Sequence, residues 1–330
     1  MFRLIKSFAP HLTVYTLHIF EAKAVVNMVK IRCALLPVWL VIGLTMAPVA
    51  LAEPMEVKYY SKGNSPGLWP YQEALLVLAL EKTRKDFGDY KITYFEESIS
   101  SARAKKETER GRLIDVHYST AWTGLFVNAD NIIQLEYPIF KGLLGLRSVI
   151  VRERGSGKLQ KNLRFDEFRQ LSAGQGAGWV DINILENSGI RVVKSGIFNN
   201  LVPMLFAGRY DYLPLSILET KAVVDGAKIR GMPIVQSTDA MLFYPLPIAV
   251  CISKSNPELA KRLSQGFERA LADGSLESVF AEHFGFVEPW LKKNAPTTYV
   301  IQNPLLDEPS NQRLTGAFHR QYGSWLKMVK

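Results

Sequence analysis

Residues 172–219 read SAGQGAGWVDINILENSGIRVVKSGIFNNLVPMLFAGRYDYLPLSILE, and the way this stretch divides decides the fold. Its spacing predicts strand, Gly-rich turn, helix, short strand, helix, and then a strand carrying Tyr210-Asp211-Tyr212. Gly174, Gly176 and Gly178 lead into Trp179, Val180 and Asp181, which open a helix. Free backbone N–H groups at a helix start attract anions, and Asp181 stands where an N-cap satisfies them. A second helix around Pro203-Met204-Leu205 ends at Gly208-Arg209. This is half of an open α/β sheet, in which ligands lie beyond the carboxyl ends of the strands.

Upstream, the pattern repeats with different residues. Strands are expected over 56–60, 90–95 and 113–117, with helices over 71–85 and 98–110 between them. Each strand runs into a polar or aromatic cluster. The first meets SKGNSPGLWP with Trp69, and the third meets Tyr118-Ser119-Thr120-Ala121-Trp122. Downstream, a strand is expected over 148–151, and the polar segment 152–162 reads as a crossing between two α/β units. A return crossing is expected at Tyr244-Pro245-Leu246-Pro247, followed by a strand over 248–253. Asn256-Pro257-Glu258 is a helix start with Pro in its first turn. The final forty residues, with Trp325 and few regular patterns, are expected to wrap the first unit.

The 330 residues suffice for two sizeable cores. Of the net charge of +9, the first 52 residues hold five basic groups and one acid, leaving 35 basic against 30 acidic thereafter, a surplus of 5. That surplus is scattered through helices such as ARAKKETERGR (102–112), a pattern of solvated faces. No basic stripe interleaves with aromatics, so nucleic acid is not an expected partner. From Met28, Lys30 and Arg32 precede an uncharged run that ends in Ala50-Leu51-Ala52. This is the pattern of a signal peptide over 28–52 cleaved after Ala52, with 1–27 an upstream extension; a membrane anchor is the rival reading. Cleavage leaves Cys251 as the only cysteine, which excludes an internal disulfide and reads as a small core residue.

Candidate ligand contacts follow from position. Tyr60 and Trp69 end or follow the first strand, Ser119 and Trp122 follow the third, and Arg147 begins the strand before the crossing. Trp179 and Asp181 open the second-unit helix, and Tyr212 sits in the strand after Gly208-Arg209. Each aromatic also fits core packing, and Arg147 also fits a salt bridge. The glycines at 174, 176 and 178 miss the dinucleotide fingerprint, whose third Gly falls at Trp179. There is no Gly-x-Ser-x-Gly, His-Glu-x-x-His or Cys-x-x-Cys. No cofactor, metal or catalytic group is expected.

Three pieces, in order, resemble the bacterial extracellular solute-binding proteins of family 3, the polar amino-acid-binding class of ABC transport receptors. They are the exported N-terminus with its aromatic-ended strand, Met204-Leu205 through Gly208-Arg209-Tyr210-Asp211, and Ser253 to Ala260 followed by Gly266-Phe267 and Ala272-Asp273-Gly274-Ser275. The resemblance implies a two-lobed α/β fold of the type 2 periplasmic-binding class, with mixed sheets and helices on both faces. Lobe 1 would be 53–150 with 245–330, and lobe 2 would be 151–244. It implies a monomeric periplasmic receptor that holds a small polar solute between its lobes for an inner-membrane permease, or as a sensor. Family members grip an amino-acid carboxylate with the Arg of Thr-x-x-Arg; here 119–123 has none, and Arg147 is the nearest substitute. An amino acid, a peptide-like or aromatic solute, or another small polar solute all remain open. The alternative on the same fold is a periplasmic cyclohexadienyl-type dehydratase, for which only His117, Asp181 or Glu219 could serve as acid and base.

Overall fold

A computed structural model describes residues 53–62, 66–120, 129–154, 159 and 163–329. The expected signal peptide and upstream extension, and Trp122, lie outside the described residues. Twelve strands are present among them: β1 (Met55–Tyr60), β2 (Tyr90–Tyr94), β3 (Val116–Thr120), β4 (Ile132–Leu135), β5 (Leu146–Arg152), β6 (Ala173–Gly176), β7 (Val192–Ser195), β8 (Leu213–Ser216), β9 (Ile234–Phe243), β10 (Ile248–Ser253), β11 (Thr297–Val300) and β12 (Lys327–Val329). The helices are α1 (Trp69–Lys82), α2 (Arg84–Phe87), α3 (Ser101–Arg110), α4 (Phe165–Phe168), α5 (Asp181–Asn187), α6 (Leu201–Phe206), α7 (Ile217–Ile229), α8 (Pro257–Ala272), α9 (Ser275–Phe284), α10 (Val287–Asn294) and α11 (Glu308–Tyr322).

Two five-stranded sheets define two lobes. The first has the order β2-β1-β3-β10-β4 and the second β12-β11-β9-β5-β8, with the pair β6-β7 joined toward β8 by a bridge from Ala173 to Tyr212. In the first sheet β1, β2 and β3 are parallel and β10 runs antiparallel to β3 and β4. Helix starts follow local chemistry. Ser100 accepts from the Arg103 N–H to open α3, Asn256 accepts from Leu259 to open α8, and Ser216 and Glu219 form a reciprocal capping box on α7. Gly111, in the left-handed region at φ 63°, closes α3.

The first crossing lies earlier than the sequence suggests. Segment 152–162 is not the crossing, because β5 already pairs antiparallel with β8 and β9 of the second sheet. Six of its seven residues are buried, as a central strand covered on both faces requires. The chain therefore changes lobes over 136–145, and it returns over Tyr244–Pro247. The two crossings touch: the Tyr244 N–H donates to the Gly145 carbonyl at 3.2 Å, and a Cβ at Gly145 would stand 2.0 Å from the Tyr244 carbonyl oxygen.

The C-terminal expectation is also corrected. Helices α8 and α9 pack on α1, but β11 pairs parallel with β9 and carries β12, so the chain crosses a third time between α9 and β11. The residues beyond β11 brace the crossings. Asn303 Nδ2 donates to the Pro245 carbonyl at 2.9 Å, and the Tyr322 hydroxyl donates to the Lys141 carbonyl at 3.2 Å. Asn303 is itself held by Asn311 through bonds in both directions, each 2.9 Å. One continuous apolar core runs from Leu75 and Val116 through Leu144 and Tyr244 to Met241, Tyr299 and Phe318. The lobes also meet at their tips, where the turn Pro66–Leu68 packs on α7 and a side chain at Gly67 would reach Ala222 at 3.4 Å.

Candidate functional site

A cavity of about 90 Å³ lies between the lobes. A water needs roughly 10–15 Å³ of such space, so several waters or one compact solute fit. The first lobe contributes Leu68, one face of α3 (Ser101, Ala104 and Lys105) and the end of β3 from His117 to Thr120; the second contributes Arg147, the turn 178–181 and Glu219. Leu144 and Leu246, from the first and second crossings, also line it.

Four residues expected from the sequence meet here: Ser119, Arg147, Trp179 and Asp181. The others do not. Tyr60 is 1% exposed and packs with Ala104 and Ile114, its hydroxyl donating to the Ile99 carbonyl at 3.2 Å. Tyr212 is fully buried, its ring centroid 5.1 Å from that of Phe168. Trp69 begins α1, and the cavity wall takes Leu68, the residue before it. Both tyrosines depart from expectation for one reason. Strand-end aromatics belong to the core when neighbouring elements cover both faces of the strand, and periodicity does not reveal that cover.

The second-lobe wall is built around an ion network. Arg147 Nη2 forms a salt bridge with Asp181, Arg147 Nη1 lies 3.8 Å from Glu219, and all three side chains are more than nine-tenths buried. The Tyr244 hydroxyl, from the second crossing, donates to Asp181 at 2.5 Å, and the guanidinium lies 5.2 Å from the Tyr244 ring centroid. Glu219 accepts from the Ser216 N–H at 3.0 Å, which fixes it at the start of α7. Burial works to lower the Arg147 pKa, but the neighbouring Asp181 and Glu219 carboxylates, together with Tyr244, outweigh it and hold the guanidinium above its ordinary value. Arg147 Nε has no hydrogen-bond partner among the described residues.

Asp181 therefore does not cap its helix. Val180 occupies the cap position without a side-chain bond, and the carboxylate turns to Arg147 and Tyr244. The glycines before it serve packing. A Cβ at Gly174 would stand 2.1 Å from the Tyr210 ring, and one at Gly176 would stand 2.6 Å from the Trp179 ring. Gly176 thus seats Trp179 against the strand, at the cavity edge. Asp211 is structural: its carboxylate accepts from the Ser172 N–H and hydroxyl at 2.9 and 2.8 Å.

The first-lobe wall carries Lys105 and His117. Burial lowers the Lys105 pKa, with the Cys251 thiol acting the other way. Burial, with Lys105 nearby, pushes the His117 pKa down to about 3, and His117 Nδ1 shares a 2.9 Å bond with the Thr108 hydroxyl. The imidazole is thus neutral near pH 7. Cys251, its cross-strand neighbour on β10, is buried, and its pKa is pushed up to about 12. Lys105 was not foreseen. Its signal was the spacing Ser101, Ala104, Lys105, which puts all three on one helical face.

No family profile and no curated protein matches the chain. Solved structures do. An arginine 3rd transport system periplasmic binding protein from Legionella pneumophila aligns over 70% of this chain and 99% of its own, at 14% identity and a TM-score of 0.50. The probable amino-acid ABC transporter extracellular-binding protein ytmK from Bacillus subtilis aligns over 71% and 99%, at 10% identity and a TM-score of 0.50. At such identities the likeness shows the fold: two α/β lobes, as in the periplasmic solute-binding proteins. Among the described residues, no helix is long and apolar enough to cross a membrane.

Proposed function

We propose that the protein is an exported, monomeric solute-binding protein of the family 3 class. It captures a small polar solute between its lobes and either delivers it to an ABC-type importer or reports its presence. Residues 28–52 would direct export, with cleavage after Ala52. The observation that carries this reading is the cavity walled by both lobes and the first two crossings, with Ser119, Arg147, Trp179 and Asp181 on its surface. A solute there touches both lobes at once, so its contacts exist in full only when the lobes are together. The crossings at Gly145 and Tyr244 are the points about which they would part.

We read the site as binding rather than catalytic. An acid–base mechanism works best with a group whose pKa lies near the operating pH. His117 falls far below it, while Asp181 and Glu219 are engaged by Arg147. Dehydration of prephenate or arogenate by the purified protein would overturn this.

The test is thermal melting against pools of amino acids, short peptides and polyamines. A ligand at a hundred times its Kd adds about 2.7 kcal/mol. At about 2.1 cal/mol/K per residue, the roughly 280 residues from Glu53 onward unfold with an entropy of about 0.6 kcal/mol/K, so the expected rise is about 4–5 °C. No rise with any pool contradicts the proposal.

A further inference from the structure

Among the described residues, only two other than glycine hold a left-handed backbone: Lys141 at φ 50° and Ala295 at φ 42°. Neither is a residue type that favours that region, so the surrounding structure must impose it. Both lie where the chain passes between lobes. Lys141 is in the first crossing, beside Gly142 at φ 75°. Ala295 is in the third, where its N–H closes α10 on the Leu291 carbonyl at 2.9 Å. A left-handed residue at a helix end is most often glycine, and the exposed Ala295 carries a cost there that glycine would not.

The C-terminal segment and α9 hold the first crossing in that shape. The Tyr322 hydroxyl donates to the Lys141 carbonyl at 3.2 Å, while the Lys141 ammonium pairs with Glu277 and lies 4.3 Å from the Phe280 ring centroid. Phe318, one turn before Tyr322 on α11, stacks on Phe243 with ring centroids 3.8 Å apart, and a Cβ at Gly142 would stand 3.4 Å from it. The same segment reaches the second crossing. Asn303 donates to the Pro245 carbonyl, and the Ile301 N–H donates to the Phe243 carbonyl at 2.9 Å. Residues 301–322 thus fasten both crossings about which the lobes would part.

Two unbraced crossings bend through dihedral changes at a few residues. Here the same motion must draw Lys141 and Gly142 away from Tyr322 and Phe318, and must move α9 relative to β11 across Ala295. The contacts oppose opening, and relaxation of the two left-handed residues favours it. We propose that residues 301–322 form a strap that holds the lobes closed against backbone strain at Lys141 and Ala295, so that closure is shared between strap and solute and release of the strap limits exchange. The link to solute exchange rests on the binding-protein reading; the strap itself does not.

The experiment uses exhaustively dialysed full-length protein with no solute added. Nitroxide labels on Ala102→Cys and Asn183→Cys, exposed positions on α3 and α5, report lobe separation by pulsed electron resonance, and the buried Cys251 stays unlabelled. The wild type should show one dominant short separation. Tyr322→Phe removes only the strap's hydroxyl bond and should raise the ratio of long to short separations about 2- to 10-fold. Ala295→Gly relieves the strain and should lower that ratio about fivefold. Amide exchange at Leu143 and Gly145, whose N–H groups bond within the first crossing, registers openings too rare for the labels, and should quicken in the first variant and slow in the second. Far-ultraviolet spectra establish that each variant is folded. A long separation dominating the wild type, either variant leaving both readouts unchanged, or both variants moving them in the same direction would overturn the strap. Separately, a wild-type protein that no solute pool stabilises removes the binding reading and the link to exchange, and leaves the strap in place.

Discussion

Replacing Arg147 by Met isolates the network that shapes the second-lobe wall. The change removes the one cation beside Asp181 and Glu219 and leaves both carboxylates more than nine-tenths buried. Breaking a buried ion pair from one side costs about 3–5 kcal/mol, because the remaining charge is stranded. Asp181 keeps the Tyr244 hydroxyl and Glu219 keeps the Ser216 N–H, so the lower half of that range is expected. With an unfolding entropy of about 0.6 kcal/mol/K, the melting temperature should fall by about 5–7 °C. The sign of the pH dependence follows from linkage. Stranded carboxylates have raised pKa values in the folded state, so they cost least at low pH and most once pH has risen through those values. The deficit against wild type should therefore be larger at pH 8 than at pH 5. Adding Asp181→Asn and Glu219→Gln to the Met variant removes the stranded charges and should restore most of the loss. Calorimetric melting of the wild type, the single variant and the triple variant at both pH values is the assay. A single variant that melts within 1 °C of wild type, or a triple variant no better than the single, would refute the reasoning.

Three further outcomes rest on the same geometry. His117, held neutral with its pKa near 3, binds fewer protons folded than unfolded between about pH 3 and 6.5, so stability falls as pH drops below 6.5. The loss at pH 5 is about 2 kcal/mol, or roughly 3 °C, and His117→Gln should flatten that part of the melting profile; parallel profiles contradict it. Gly266→Ala places a methyl 2.2 Å from the Ala79 carbonyl, where α8 meets α1. Overpacking should cost about 1–3 kcal/mol in urea unfolding, and an unchanged midpoint counts against that close approach. Asn303→Ala removes the side-chain donor to the buried Pro245 carbonyl and the side-chain acceptor of the Leu305 N–H, at a cost of about 1–3 kcal/mol. Amide exchange should quicken at 243–247, and a uniform change across both lobes would contradict the bracing role.

The two-lobed α/β class was legible because its signals are local. Alternating strands and helices, Gly208-Arg209 after a helix, and Asn256-Pro257 before one all survive in the structure. What escaped was decided by distant partners. Asp181 reads as a helix cap from its neighbours, but Tyr244, 63 residues away, claims its carboxylate. Arg147 stood out as a charged residue heading an apolar strand, yet nothing near it in sequence announces two acids from α5 and α7. Lys105 was hidden in a run of charges that reads as solvated; only the position of α3 against β10 and the end of β3 turns that face inward. The first crossing was misplaced because a strand at 146–152 does not say which sheet it joins, while its pairing with β8 and β9 does. Likewise the last forty residues lack strong periodicity, and β11 acquires its place from backbone pairing with β9.

The central claim is that a guest held between the lobes contributes to their closure. Native mass spectrometry of the protein purified without prior dialysis, paired with its melting curve before and after exhaustive dialysis, tests this most directly. We expect one small adduct per chain, lost on dialysis together with several degrees of melting temperature and recovered when the identified compound is returned. A bare-chain mass before dialysis, with a melting curve that neither dialysis nor any returned solute shifts, would contradict it.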